Sequence, residues 1–164
     1  MRAPSRGRPA AEDAVRFAHN LGVVVVFAAG NSAADINGSS PQNLPEVIVV
    51  SATDPADQLT FFSNYGFIDV GAPGGGVNSA PPTVEPFSNI LSLKSSVCCA
   101  GSANIVGTNY IRFAGTSMAA PYVTAAVAVL CSRGIKDRDE ILAALQEIGD
   151  YEESFTRLKC PAAH

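Results

Sequence analysis

The first thirty residues contain two hydrophobic patterns, one with helical spacing and one that is continuously apolar. Residues 10–22 place apolar side chains at helical spacing, at Ala14, Phe17, Ala18 and Leu21. Gly22 follows as a typical helix stop. The segment VVVVFAA comes next, and its apolar, β-branched residues leave neither face polar. This second pattern predicts a strand inside a parallel sheet that is covered on both sides.

Further along the chain, two segments predict strands of the same sheet and two others predict a hairpin. EVIVVSA at 46–52 is apolar almost throughout, and FIDVGAPG at 67–74 is a shorter apolar segment that ends in a glycine-proline turn. NILSLKS at 89–95 and NYIRFAG at 109–115 have the composition of paired antiparallel strands.

The C-terminal third predicts two helices of different character. Residues 117–133 are apolar all round, which predicts a buried helix. Residues 137–149 are amphipathic, with one apolar face formed by Ile141, Leu142, Leu145 and Ile148. Helices that alternate with strands predict an α/β domain, namely a three-layer, open, mainly parallel sheet with helices on both faces. We expect this domain at 10–150, between a disordered tail at 1–9 and a C-terminal tail at 151–164.

Composition narrows the classes of function. The chain has 164 residues, of which 47% are hydrophobic and 16% charged, with a net charge of −4. This is enough for one domain with a core, and it does not indicate a nucleic-acid partner. No apolar run approaches the roughly 20 residues that span a bilayer, and the first residues lack the apolar centre of a secretory signal. Four cysteines without metal-site spacing and two histidines argue against zinc.

The candidate chemistry lies where strands of an open α/β sheet end, because ligands bind at the carboxyl ends of such strands. One such point is AAGN after the valine strand, and the other is the start of the apolar helix at Ser117. Small residues precede Ser117, and Pro121 fits only near a helix start. A serine there is either a helix cap or a nucleophile that faces a cleft.

Five segments resemble one family in their order along the chain, over about residues 10–133: GVVVVFAAGN, SPQNLPEVIVVSA, FSNYG, DVGAPG and GTSMAAP. The chain resembles the subtilisin-like serine peptidases, the subtilase family. The resemblance implies that Ser117 is the acyl-forming nucleophile and that Asn31 donates its side-chain amide to the oxyanion. It also implies a polypeptide substrate and secretion. The charge and the lack of a long apolar run predict no nucleic-acid and no membrane partner. The substrate-binding residues that the resemblance implies are Ala28, Ala29, Gly30, Gly115 and Thr116.

The family's two other catalytic motifs, D-[ST]-G and H-G-T-H, do not occur in these 164 residues. His19 lies near the end of the first predicted helix, away from the carboxyl ends of the strands, and His164 is the last residue. The sequence therefore resembles the C-terminal part of a catalytic domain, with a sheet that is incomplete on its N-terminal side. We expect the isolated chain to be inactive, and a partner chain or an upstream segment to supply the aspartate and the histidine.

Two alternatives to an endopeptidase follow from the same residues. One is a non-catalytic subtilisin-like fold that acts as a binding or complementing partner. The other is a plain α/β binding module in which Ser117 only caps a helix.

A structural calcium ion is a further expectation from the resemblance. Some relatives bind calcium through an aspartate and two backbone carbonyls, which correspond here to Asp69, Pro45 and Val47. Oxygen ligands of this type suit calcium, although a single carboxylate provides little charge. No cofactor is required for the chemistry.

Overall fold

The computed structural model describes residues 9–76, 88–98, 103–152 and 155–158. The helices are α1 (Pro9–Asn20), α2 (Thr116–Ser132) and α3 (Arg138–Ile148). The strands are β1 (Val25–Ala28), β2 (Val47–Thr53), β3 (Val70–Pro73), β4 (Ile90–Leu93), β5 (Ile105–Val106), β6 (Tyr110–Phe113), β7 (Gly149–Glu152) and β8 (Phe155–Leu158).

The main sheet has the order β1-β2-β3-β8-β7, in which every neighbouring pair is parallel except β8 and β7. Helices α2 and α3 pack on one face of this sheet, and α1 contributes to the core on the other face. The predicted three-layer α/β architecture is therefore confirmed. The predicted antiparallel pairing of 89–95 with 109–115 is also confirmed by β4 and β6, to which β5 adds a third strand.

Strand β2 is the centre of the fold because both of its faces are buried. Ile48, Val50 and Ala52 pack against α2 and α3, whereas Val47 and Val49 belong to the cluster that includes Val15 of α1. All seven residues of β2 are buried. This burial explains why Val47–Val50 are apolar without alternation, as expected for an interior strand of a parallel sheet.

Strand β1 departs from the prediction that it is covered on both sides. Its four residues are all only half-buried. It pairs with β2 along one edge, and no strand pairs with its other edge in the described residues. An apolar strand at a free edge can accept a further strand.

The prediction that α2 is buried on all sides is wrong. Its inner face is buried through Ala119, Val123, Val127 and Leu130. Its outer face carries Pro121, Tyr122, Ala125, Ala128 and Val129, all exposed. An apolar composition shows that the helix surface is hydrophobic, but it does not show which sides of the helix are packed.

The predicted buried faces of the two amphipathic helices are only partly correct. In α1 the buried residue is Val15, and the two largest residues of the predicted stripe, Phe17 and Leu21, are each 67% exposed. In α3, Ile141 and Leu145 are fully buried as predicted, but Ile148 is 58% exposed. A helical spacing thus identified each helix, but tertiary packing decided which face turns inward.

The C-terminal tail predicted at 151–164 is replaced in part by strands. β7 and β8 form an antiparallel hairpin, and β8 extends the main sheet by pairing with β3. The missed signal is weak, because each strand has only four residues. Of the tail predicted at 1–9, Pro9 is already in α1 and the rest lies outside the described residues. In the part of the chain that the structure describes, no helix is both long and apolar enough to cross a membrane.

Candidate active site

The loop after β1 and the first turn of α2 meet at the carboxyl edge of the sheet, and Thr116 joins them. Its backbone N–H and its hydroxyl both donate to Asn31 Oδ1, at 2.9 and 3.0 Å. The same hydroxyl accepts a hydrogen bond from the Gly30 N–H at 3.1 Å. Because Thr116 is fully buried, these bonds are shielded from competing water.

Asn31 is held so that its amide group remains available as a donor. Both contacts from Thr116 use the side-chain oxygen, which leaves the nitrogen Nδ2 as the free end of the side chain. A Cβ added to Gly115 would lie 3.3 Å from Asn31 Nδ2. The amide nitrogen therefore lies beside Gly115, two residues before Ser117. A neutral N–H donor fixed in this way suits stabilisation of an oxyanion.

Ser117 is not a helix cap. The N-cap of α2 is Gly115, which has no side chain to cap the helix. Ser117 is exposed, and neither its hydroxyl nor its N–H makes a hydrogen bond within the described residues. The first turn of a helix has unpaired N–H groups and a partial positive charge. The serine hydroxyl therefore faces solvent beside donors that could hold a developing negative charge.

Asn64 of the FSNYG segment fixes the loop that carries Asn31. Its Nδ2 donates to the Ala29 carbonyl at 2.8 Å, and its Oδ1 accepts from the Ser32 and Ala34 N–H groups at 2.9 and 3.0 Å. The side chain thus bonds to the loop on both sides of Asn31. The sequence motif was visible, but this positioning function could not be read from it.

A groove of about 320 Å³ opens beside Ser117, between α2 and β4. It is lined mainly by apolar side chains: Ile90, Leu91, Ser92, Ser117, Met118, Pro121, Tyr122 and Ala125. The groove follows the exposed face of α2, so Ser117 lies at one end of an open apolar surface.

The five predicted substrate-binding residues lie together at this edge but differ in exposure. Ala29 and Thr116 are buried, and Gly115 is also inaccessible. Ala28 and Gly30 are half-buried. Thr116 positions Asn31 through the hydrogen bonds described above, and direct substrate contact by these five residues stays a prediction.

No described histidine lies near Ser117. His19 lines a separate cavity with Val23, Val24 and Lys136. This cavity lies at the start of β1, opposite the end that carries Asn31. His164 lies outside the described residues. Within the described residues, His19 is thus remote from Ser117.

The parallel α/β sheet, with an exposed serine beside a fixed amide donor, is the arrangement that the resemblance to the subtilisin-like peptidases predicts. The sequence model of the subtilase family matches residues 2–145. The chain belongs to the subtilase family.

Relatives and solved structures agree with this assignment. A thermophilic serine proteinase of Bacillus sp. (strain AK1) is 38% identical over 85% of this chain and 28% of its own length. An extracellular protease of Xanthomonas campestris pv. campestris is 40% identical over 74% of this chain and 18% of its own. The solved structure described as proteases from Pseudoalteromonas arctica has a TM-score of 0.71 and 26% identity, and the match covers 94% of this chain and 46% of that one. The chain thus spans less than half the length of these relatives.

Replacing Asn64 by alanine should lower kcat about 10- to 100-fold, with a smaller change in KM, once the missing catalytic groups are supplied. The loop would lose the three hydrogen bonds of the Asn64 side chain, so Asn31 would be held less rigidly by its remaining bonds to Thr116. Steady-state kinetics on a peptide substrate measure the effect. Asn20→Ala, an exposed asparagine at the end of α1, is the matched control. Equal losses in the two variants would exclude a positioning function for Asn64.

Proposed function

We propose that this chain is the nucleophile-bearing part of a secreted serine endopeptidase, whose aspartate and histidine come from an upstream segment or a partner chain. The observation that carries the proposal is the exposed, uncapped Ser117 beside the Asn31 amide that Thr116 holds in place. Secretion is supported by the extracellular protease of Xanthomonas campestris pv. campestris among the relatives.

In the proposed reaction, Ser117 Oγ attacks the peptide carbonyl and gives its proton to the supplied histidine. The carbonyl oxygen becomes an oxyanion that accepts hydrogen bonds from Asn31 Nδ2–H and the Ser117 N–H. The peptide C–N bond then breaks, the histidine protonates the leaving amine, and an acyl-enzyme remains on Ser117. Water, deprotonated by the same histidine, hydrolyses this ester and restores the serine.

The exposed face of α2 is the proposed binding surface for a partner that brings the histidine to Ser117. Ser117, Pro121, Ala125 and Ala128 fall on one side of the helix, since their spacing returns to the same face every three or four residues. A contiguous apolar face on a helix is typical of an interaction surface. A segment packed along this face would reach Ser117, and a strand could add to the free edge of β1.

Labelling with a fluorophosphonate probe tests the proposal, because the probe reacts with a serine only when a base activates it. We expect no labelling of the 164-residue chain alone, and labelling after it is mixed with an upstream segment that carries the aspartate and histidine motifs. This added segment is called the donor segment below. Ser117→Ala should remove the labelling.

Two surface variants test where the donor segment binds. Ala128→Lys on the exposed face of α2 should prevent activation, whereas Ala143→Lys, an exposed alanine of α3, should not. Labelling of the chain alone would contradict the need for an external base. A stable complex that never labels would favour the non-catalytic subtilisin-like fold, in which the chain acts only as a binding partner.

A further inference from the structure

The position where the resemblance predicts calcium already holds a positive charge from the protein itself. Arg138 Nη2 donates to the Val47 carbonyl at 2.9 Å and to Asp69 Oδ1 at 3.0 Å. The second carboxylate oxygen, Asp69 Oδ2, accepts from the Val49 N–H at 2.8 Å. Two of the three predicted calcium ligands, Asp69 and Val47, are therefore bound by the guanidinium.

The contacts of Arg138 are largely shielded from solvent. The side chains of Arg138 and Asp69 are each 12% exposed. A second nitrogen, Nη1, lies 2.9 Å from Asp139 Oδ1, but that carboxylate is 85% exposed and contributes little. The contacts of Arg138 with Asp69 and Val47 therefore contribute more to stability than its contact with Asp139. Removing one partner of a shielded ion pair leaves an uncompensated charge.

The donor set does not fit calcium as well as it fits arginine. Calcium takes six to eight oxygen ligands, and its affinity rises with the number of carboxylates. Here Asp69 is the one carboxylate in the predicted set, and both of its oxygens already accept hydrogen bonds from protein donors. Within the described ranges, no group of three or more acidic, histidine or cysteine side chains could hold a metal ion.

We propose that Arg138 is a built-in cation that takes the place of calcium at this site and joins α3 to the start of β2 and β3. The position of Arg138 is fixed by the helix that it begins. Asp137, the N-cap of α3, accepts hydrogen bonds from the Asp139 and Glu140 N–H groups at 2.9 and 3.2 Å. A capped helix start thus presents the guanidinium to Asp69 without the need for a diffusible ion.

Thermal unfolding of the full chain, dialysed against EDTA, tests this proposal with calcium chloride alone as the probe. Millimolar calcium should leave the wild-type Tm unchanged, and equilibrium dialysis should detect no calcium bound to the wild-type chain. Arg138→Ala should lower the Tm by roughly 5–10 °C. In that variant the carboxylate is exposed to solvent, and millimolar calcium should recover about 3 °C or more of the loss.

Three further variants complete the design. Lys136→Ala removes an exposed cation two residues earlier and should change neither the Tm nor the response to calcium. The double variant Arg138→Ala, Asp69→Asn should lose the recovery by calcium, because the charged ligand is gone. Arg138→Lys keeps the charge and should remain independent of calcium, so it tests the proposal even if Arg138→Ala does not fold.

Calcium binding to the wild-type chain, or a calcium-dependent rise in its Tm, would overturn the proposal. Neither measurement depends on peptidase activity.

Discussion

Ser117→Ala is expected to abolish peptide hydrolysis in a complete enzyme made by joining this chain to a segment that carries the aspartate and histidine. The variant removes the only atom proposed to form the acyl-enzyme, so the rate should fall to that left by the oxyanion donors and substrate binding alone. Stability should change by less than about 0.5 kcal/mol, because Ser117 is exposed and Gly115 occupies the N-cap. Hydrolysis of a chromogenic peptide and a thermal melt measure the two quantities.

Ser132→Ala at the opposite end of the same helix is the matched control for Ser117→Ala. Ser132 is also exposed, and its hydroxyl donates to the Val129 carbonyl at 2.7 Å within the helix. The control should retain wild-type hydrolysis. If Ser117→Ala hydrolysed the peptide at the wild-type rate, Ser117 would not be the nucleophile.

Asn31→Leu should lower kcat by about 100- to 1,000-fold with little change in KM, a range established on subtilisin, a member of the same family. The amide donor contacts the substrate oxygen fully only when that oxygen becomes negative in the transition state, so the ground state barely senses its loss. Steady-state kinetics in the complete enzyme measure both constants. A higher KM with unchanged kcat would instead make Asn31 a substrate-binding residue.

Asn31→Asp separates the amide donor from the position of the side chain. Aspartate keeps an oxygen that can accept the two hydrogen bonds from Thr116, at 2.9 and 3.0 Å in the native chain. It replaces the amide N–H with a second, negatively charged oxygen that repels an oxyanion. We therefore expect a loss of kcat at least as large as that of Asn31→Leu. A loss much smaller than that of Asn31→Leu would mean that position, and not hydrogen-bond donation, is what Asn31 supplies.

The candidate site could be predicted from the sequence only as far as its motifs extend. GTSMAAP and AAGN identified Ser117 and Asn31, and the order of strands placed them at the same edge of the sheet. Neither motif indicates that Thr116 holds the Asn31 oxygen or that Asn64 bonds to the loop on both sides of Asn31. The contact between Thr116 and Asn31 joins residues 85 positions apart in the sequence, and the contacts of Asn64 join residues up to 35 positions apart. Local sequence patterns do not predict contacts over such separations.

The position of Arg138 illustrates the same limit more clearly. Its sequence context, an arginine in the first turn of an amphipathic helix, is that of an ordinary surface residue. In the folded chain this side chain lies beside Val47 and Asp69, which are 91 and 69 residues away in the sequence. The resemblance predicted calcium at this site by analogy with relatives of the family, whereas the tertiary contacts point to a guanidinium.

The sequence by itself determined the elements whose pattern is set by local physics. These are the mainly apolar β2, the antiparallel pairing of β4 with β6, the glycine that follows α1, and the small-residue turn that opens α2. The tertiary structure alone decided which helix faces are covered. Phe17 of α1, Leu21 just after it and the outer face of α2 are exposed, because burial depends on what packs against a surface. Hydrophobic periodicity records that a face is apolar, and only the packed neighbours decide whether that face is removed from water.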